Sequence, residues 1–395
     1  MNREVRPRLL TTLCYAAMMC LAIGINLLPV FLTSIGASFG DGGTLSREEL
    51  GRLGAIAFAG LVLGILATGP LADRYGAKPF VILANALTVL GLVGMAASQT
   101  FTLLLVTVFV VGLGAGMLDM ILSPVVAALN PERRTAAMNW LHSFYPVGAV
   151  VTIFIGTLAL AFGVGWRAVC LVSVVLPLGL TVAFLPLRFP DLVTDHGRTS
   201  MRELCGQVWF LAALAAIFLA GAIELGMAQW LPAYAETSLG FSPTVAGSAL
   251  LAFSIAMAVG RMAVGMLEAS ANAYTIMFVG GVLSGVLFLL GAFLENPTWA
   301  LVACIAAGFT GTSLWPTMLA VAADRYPDGG ASMFAALAAF GNAGGIFMPW
   351  IIGYVGDVRD LHWGMATSAV APFLLLPLLM FLFRGEARHR RLADS

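Results

Sequence analysis

Asp119 and Glu224 stand inside long apolar stretches of this 395-residue chain, where an ionisable side chain is costly and therefore informative. Asp119 has about ten apolar or small residues on either side before the nearest charge. A lone carboxyl group in such a dry setting is suited to taking up and releasing a proton, and the competing reading is a permanently protonated Asp bonded to a neighbouring helix. Glu224 is less deeply placed and is the second candidate for proton coupling. Asn139, His142 and Tyr145 are spaced by three, so they share a drifting helical face. That face offers amide, imidazole and phenol groups, the donors and acceptors a hydroxylated ligand needs, although a single His in lipid also serves as a plain helix–helix bond. Asn26, Gln229, Trp230, Trp315 and Asn342 complete the polar and aromatic candidates for binding a solute. The five cysteines lack C-x-x-C spacing, so neither a disulfide framework nor a metal site is expected.

The elements that must position these residues are read from hydropathy. Sixty per cent of residues are hydrophobic, ten per cent are charged and the mean hydropathy is +0.96, which excludes an ordinary soluble domain. Runs long enough to cross a bilayer fall at about 10–35, 47–71, 79–97, 101–129, 137–162 and 167–187, then at about 207–235, 243–268, 273–293, 298–323, 331–355 and 363–383. These are spans 1 to 12. The expected fold is therefore an all-α polytopic membrane protein of twelve transmembrane helices.

The chain also repeats itself at a spacing of 196 residues. Gly112, Leu118, Ala127, Pro131, Phe144 and Gly148 recur as Gly308, Leu314, Ala323, Pro327, Phe340 and Gly344, and upstream Ser46, Gly51, Gly69 and Leu71 recur as Ser242, Gly247, Gly265 and Leu267. Two parallel copies of one hydrophobic unit form bundles related by a pseudo-two-fold along the membrane normal, with a site at the bilayer midplane. Matching Pro29 to Pro232 gives the first half seven extra residues near Gly40–Gly43. The expected domains are a six-helix bundle over 1–187, a cytoplasmic linker over 188–206 and a second six-helix bundle over 207–395. The stretches Gly112–Gly116 and Gly341–Gly345 are expected where helices approach closely.

Net charge is zero, but its distribution is lopsided. With the N-terminus inside, fifteen Arg and Lys residues fall in cytoplasmic segments and four (Arg47, Arg52, Arg167, Arg359) on the other side. That asymmetry puts both termini in the cytoplasm, in a multi-pass protein of the cell's inner (plasma) membrane. No nucleophile–base set, metal cluster or phosphate loop stands out, so an enzyme, an ATP-driven pump and a nucleic-acid binder are all disfavoured. No cofactor is called for. The expected partners are a small-molecule solute, with a sugar first, and the lipid bilayer, for a chain acting as a monomer.

Between spans 2 and 3 stands Gly69-Pro70-Leu71-Ala72-Asp73-Arg74-Tyr75-Gly76-Ala77-Lys78. This resembles the G-x-L-A-D-R-x-G-x-K/R loop of the major facilitator superfamily, with Gly69, Asp73, Arg74, Gly76 and Lys78 in the positions of a gate. The resemblance implies that family's fold, in which spans 1, 4, 7 and 10, with 5 and 11, line the cavity. Gly114 to Pro124 followed by Asn139 to Ala149 is similar to the fourth and fifth spans of the fucose permease branch of sugar–proton symporters, as Trp315-Pro316-Thr317 and Gly341 to Asp357 are to its tenth and eleventh. By that resemblance Asp119 takes the place of the proton-coupling acid and His142 that of a sugar-binding glutamine. The chain departs at Ile25, where the branch carries an acid, and at Ser123, where it carries Asn. The implied function is a proton-coupled symporter importing a small polar solute by alternating access, most simply a monosaccharide, with Na+ the other candidate ion. The alternative is a proton-driven drug or metabolite efflux antiporter of the same fold; span 4 lacks the Arg such proteins often carry there.

Overall fold

The computed structural model describes residues 6–39, 44–130, 134–190, 200–267, 272–311, 313–326 and 329–393. Hydrocarbon offers backbone groups no partners, so each apolar run satisfies its own amides and carbonyls by becoming a helix. Twelve helices are long and apolar enough to cross a membrane, and no strand occurs among the described residues. Local signals set several boundaries. Span 2 begins at a reciprocal cap: Ser46 Oγ accepts from the Glu49 N–H at 3.1 Å, and the Ser46 N–H donates to the Glu49 carboxylate at 2.9 Å. The span 2 helix, Arg47–Tyr75, and the span 3 helix, Ala77–Ala97, meet at Gly76, whose φ of +78° is a left-handed value that favours glycine.

Some boundaries differ from those expected. Span 1 is a helix over Pro7–Val30, followed after Phe31 by a separate short helix, Leu32–Phe39. The segment expected as a linker contains a short helix, Met201–Cys205, capped by Ser200; residues 191–199 lie outside the described residues. Span 10 is interrupted between Pro297–Gly311 and Leu314–Arg325, because Pro316 has no N–H to continue the ladder backwards. Spans 6 and 12 break at repeat-related places, at Val174 and at Ser368–Ala369.

The chain divides into two compact units, Met1–Thr194 with Pro243–Leu251, and Asp195–Ser242 with Ala252–Ser395. Within the first unit, spans 2 and 4 cross through glycines on both sides. A Cβ on Gly60 or Gly64 would run into the backbone of Phe109 or Leu113, and one on Gly112 or Gly116 into that of Ala57 or Leu61. This small-xxx-small pattern on facing helices lets two backbones touch. The second unit repeats the contact: a Cβ on Gly308 would lie 2.9 Å from the Phe253 carbonyl, and Phe253 follows Ala57 by the same 196 residues.

Span 5 rests on span 1 through Gly148, where a Cβ would lie 2.7 Å from the Met19 Cα, and span 11 rests on span 7 through Gly344, beside Phe218 and Ala222. Met19 and Ala222 are 203 residues apart, which is the spacing of Pro29 and Pro232. The seven extra residues therefore lie after span 1, and the packing register of both halves is intact.

Gly116→Ala forces the span 2 and span 4 backbones apart and is expected to lower stability by about 1–3 kcal/mol. Gly179→Ala, at a position where a Cβ meets nothing, is expected to be neutral. Thermal unfolding of the two variants in detergent distinguishes them.

Candidate functional site

In the first unit the span 4 helix, Phe101–Leu129, carries Asp119 at its middle. The side chain is half-buried, and among the described residues no bonding partner reaches it. Ser123 lies one turn further along the same face, and its Oγ is 3.3 Å from Nε2 of His142 on span 5. His142 is exposed, and Tyr145, one turn on, is half-buried. Pro124 and Pro146 deprive the Met120 and His142 carbonyls of their helical donors, adding two backbone acceptors to this stripe. Asp119, Ser123 and His142 therefore form a polar, accessible line in an otherwise apolar bundle. Asn139 belongs to the span 5 helix, but its side chain lies outside the described residues.

In the second unit Glu224, near the middle of the span 7 helix Val208–Thr237, is not alone. Arg261, in the last third of the span 8 helix Pro243–Leu267, donates from Nη2 to both carboxylate oxygens, at 2.8 and 3.0 Å. The Glu224 side chain is 10% exposed and that of Arg261 38% exposed. Arg261 is not among the candidates named from the sequence. Its signal was present: nineteen of the twenty basic residues fall in loops or at helix ends, and Arg261 is the one left inside an apolar run.

The remaining candidates in this unit divide by what their polar atoms do. Trp315 is half-buried with its six-membered ring against Gly341 and Gly221, so it offers an aromatic face one turn from Glu224. Trp230 is fully buried, and its indole N–H donates to the Pro349 carbonyl at 2.8 Å, tying span 7 to span 11. Asn342 donates to the Ala338 carbonyl of its own helix at 3.0 Å, as Asn26 in the first unit does to Ala22 at 2.9 Å. Gln229 is buried with its Nε2 unpartnered. Asn26 and Gln229 are separated by 203 residues and are thus equivalent amides of the two halves; Asp119 and Trp315, 196 apart, are likewise equivalent, so the halves share a frame but not its chemistry.

The loop residues expected to gate act differently from one another. Lys78 Nζ donates to the Leu185 carbonyl at 2.7 Å, closing the C-terminal end of span 6. Arg74 is exposed and lies over the Tyr75 ring, Gly69 is half-buried, and Gly76 forms the hinge described above. The Asp73 side chain lies outside the described residues. An apolar cavity of about 420 Å³, lined by residues including Met19, Ile23, Val151, Ile155 and Leu176, contains none of the candidates. Among the described residues no group of three or more His, Cys, Asp or Glu side chains could hold a metal.

Twelve membrane-length helices, with no strand among the described residues, agree with the comparisons to known proteins. The family model described as Major Facilitator Superfamily matches residues 14–329 and 236–395. The chain belongs to the Major Facilitator Superfamily. Among superfamily relatives, the cis,cis-muconate transport protein of Acinetobacter baylyi is 27% identical over 305 residues, covering 72% of each chain. The 4-hydroxybenzoate transporter PcaK of Pseudomonas aeruginosa is 27% identical over 215 residues, covering 52% of this chain and 46% of that one. The fucose:proton symporter FucP of E. coli superposes with a TM-score of 0.63 at 18% identity, covering 94% of this chain and 98% of that one, so this superfamily member shares its fold.

Removing one partner of the Glu224–Arg261 pair leaves a charge uncompensated in the membrane, whereas removing both does not. Glu224→Gln and Arg261→Gln are each expected to destabilise the protein, and the double variant to recover part of the loss, with a coupling of about 0.5–3 kcal/mol. A double-mutant cycle of detergent unfolding measures that coupling.

Proposed function

We propose that this transporter imports a small polar solute, a monosaccharide first, together with a proton, across the inner membrane and with both termini in the cytoplasm. The observation that carries the reading is Asp119, a mid-span carboxyl group on an accessible face with no bonding partner among the described residues. Ionised and alone there it would be costly; protonated it is neutral and moves with its helix freely. Loading from the outside, rocking of the bundles and release to the cytoplasm then couple solute to proton. Within the first unit Ser123, His142 and Tyr145 offer hydroxyl-bonding groups, and within the second Trp315 offers an aromatic face, each the kind of group a sugar ring takes. The fold likeness to a fucose:proton symporter supports the sugar, while relatives named for muconate and 4-hydroxybenzoate support the broader class of small polar solutes.

Proteoliposomes test the reading through uptake of hexoses, pentoses and polyols. With one proton per solute, an outside pH about two units below the inside drives accumulation up to about hundredfold, and reversing the gradient abolishes it. Asp119→Asn is expected to keep exchange of solute across the membrane but to lose accumulation entirely. Accumulation that follows a sodium gradient instead, or that survives intact in Asp119→Asn, removes the proton from this role.

A further inference from the structure

The cavity of about 420 Å³ in the first unit takes no part in the transport proposed above, and its shape has a definite cause. Pro177 has no N–H to give the Ser173 carbonyl, so span 6 breaks at Val174 into Trp166–Ser173 and Val175–Phe184. The second piece packs on spans 1 and 3 rather than on span 5, and the space left between spans 1, 5 and 6 is the cavity. Its walls are apolar. The two hydroxyls among them are spent on their own helices: Thr152 Oγ1 donates to the Gly148 carbonyl and Ser173 Oγ to that of Val169, both at 2.8 Å. A polar solute finds no free donor there, and water lacks the two to four partners it needs. Leu171, Val175, Leu178, Val182 and Leu185 are exposed at helical spacing along span 6, an apolar stripe that marks the face turned to hydrocarbon. Val175 of that stripe lines the cavity, as do the exposed Val151, Ile155 and Val172, so the cavity opens sideways into the bilayer.

We infer that this cavity is a lipid site: it seats one acyl chain of an anionic phospholipid, whose phosphate meets arginines at the end where span 1 begins and span 6 ends. Under the proposed orientation that is the cytoplasmic leaflet; nothing else in the inference rests on the transport reading. Length, volume and charge carry it. The lining runs from Leu13 to Ile23 along span 1 and from Val172 to Ala183 along span 6, about 15–17 Å at a rise of about 1.5 Å per residue. That is half of a hydrocarbon core of about 30 Å, the reach of a chain from one leaflet. A methylene group is close to a water molecule in size, so 420 Å³ has room for a chain of about fourteen at about 30 Å³ each. At the stated end stand Arg6 and Arg8, exposed at the start of the span 1 helix, and Arg188, exposed four residues past Phe184. Leu13 is about two turns from Arg6 on one face of span 1, so the arginines lie about a headgroup's depth beyond the cavity. Among the described residues no hydrogen bond or ion pair engages their guanidinium groups. The span 1 helix also begins without a side-chain cap, so its first N–H groups add to the positive end.

Lipid tails are as apolar as these walls, so a seated chain gains packing rather than transfer from water, and the headgroup must supply the preference. A phosphate accepts from guanidinium N–H groups in a forked geometry. The net negative charge of an anionic headgroup sets it apart from a zwitterion, whose own ammonium answers its phosphate. The chain lies against Met19 and Gly148, which line the cavity where span 5 crosses span 1, and braces that crossing from the bilayer side.

The test is native mass spectrometry of the purified, lipid-depleted full chain in detergent, with added dioleoyl phosphatidylglycerol or dioleoyl phosphatidylcholine. One phosphatidylglycerol per chain is expected to bind saturably, about tenfold or more tightly than phosphatidylcholine. Glycerol phosphate, which has the headgroup but no chain, is expected to form no complex and not to compete. Gly179 lines the cavity and a Cβ there meets nothing, so Gly179→Leu fills the space without moving a backbone. It is expected to lose the complex while thermal unfolding without lipid stays unchanged, and Ala183→Leu serves as a second filling variant. Arg6→Gln/Arg8→Gln/Arg188→Gln is expected to bind phosphatidylglycerol no better than phosphatidylcholine. The absence of a saturable complex, equal affinity for the two lipids in the unaltered chain, full binding in both filling variants, or a preference that survives the arginine variant each overturns the inference. A dimer of the chain that dissociates in Gly179→Leu would make a second copy the occupant, and overturns it too. Proton-driven uptake in proteoliposomes is a separate measurement, so the lipid site and the proposed transport stand or fall independently.

Discussion

A charge in hydrocarbon must be cancelled where it stands, and this chain does so differently in its two units. The first keeps a single carboxyl, Asp119, which no countercharge reaches among the described residues. The second keeps a carboxylate and a guanidinium, Glu224 and Arg261, which neutralise each other at 2.8 Å. The repeat places Trp315 where the first unit has Asp119, and Ile65 where the second has Arg261. One repeated frame thus presents a lone carboxyl group in one half and an ion pair with an aromatic neighbour in the other. Symmetry of backbone therefore does not carry symmetry of chemistry.

Everything that depends on periodic hydropathy was legible in the sequence. The spans, the 196-residue repeat and the glycine stretches all reappear as helices and backbone crossings, because lipid leaves a long apolar segment no alternative to helix and because only glycine admits a carbonyl at contact distance. Even the seven-residue difference between halves is recovered, in Gly148 against Met19 and Gly344 against Ala222. Helix ends were less legible. Pro316 interrupts span 10, yet Pro124, Pro146 and Pro349 sit inside helices that continue.

What could not be read was who bonds to whom. Arg261 and Glu224 are 37 positions apart, Lys78 and Leu185 are 107 apart, and Trp230 and Pro349 are 119 apart. Hydropathy assigns each of these residues to a span or a loop end but is silent on which helix faces which. Lys78, expected at a gate, also closes a helix terminus, and Trp230, expected to face the solute, also braces two helices. Polar atoms that the sequence offered as equals prove to be of two kinds, those engaged by the fold and those on an accessible face.

The crossing of spans 2 and 4 has a mechanical meaning. Gly60 and Gly64 on one helix, and Gly112 and Gly116 on the other, lock two backbones over successive turns, so neither can slide without driving a carbonyl into a Cα. The pair behaves as a single beam. Asp119 stands one turn beyond Gly116 on that beam, so span 4 cannot carry it along the helix axis without taking span 2 with it. Any displacement of Asp119 along the bundle is therefore shared by both helices, as far as the turn at Gly76 where span 3 begins: a lever with its fulcrum already built in.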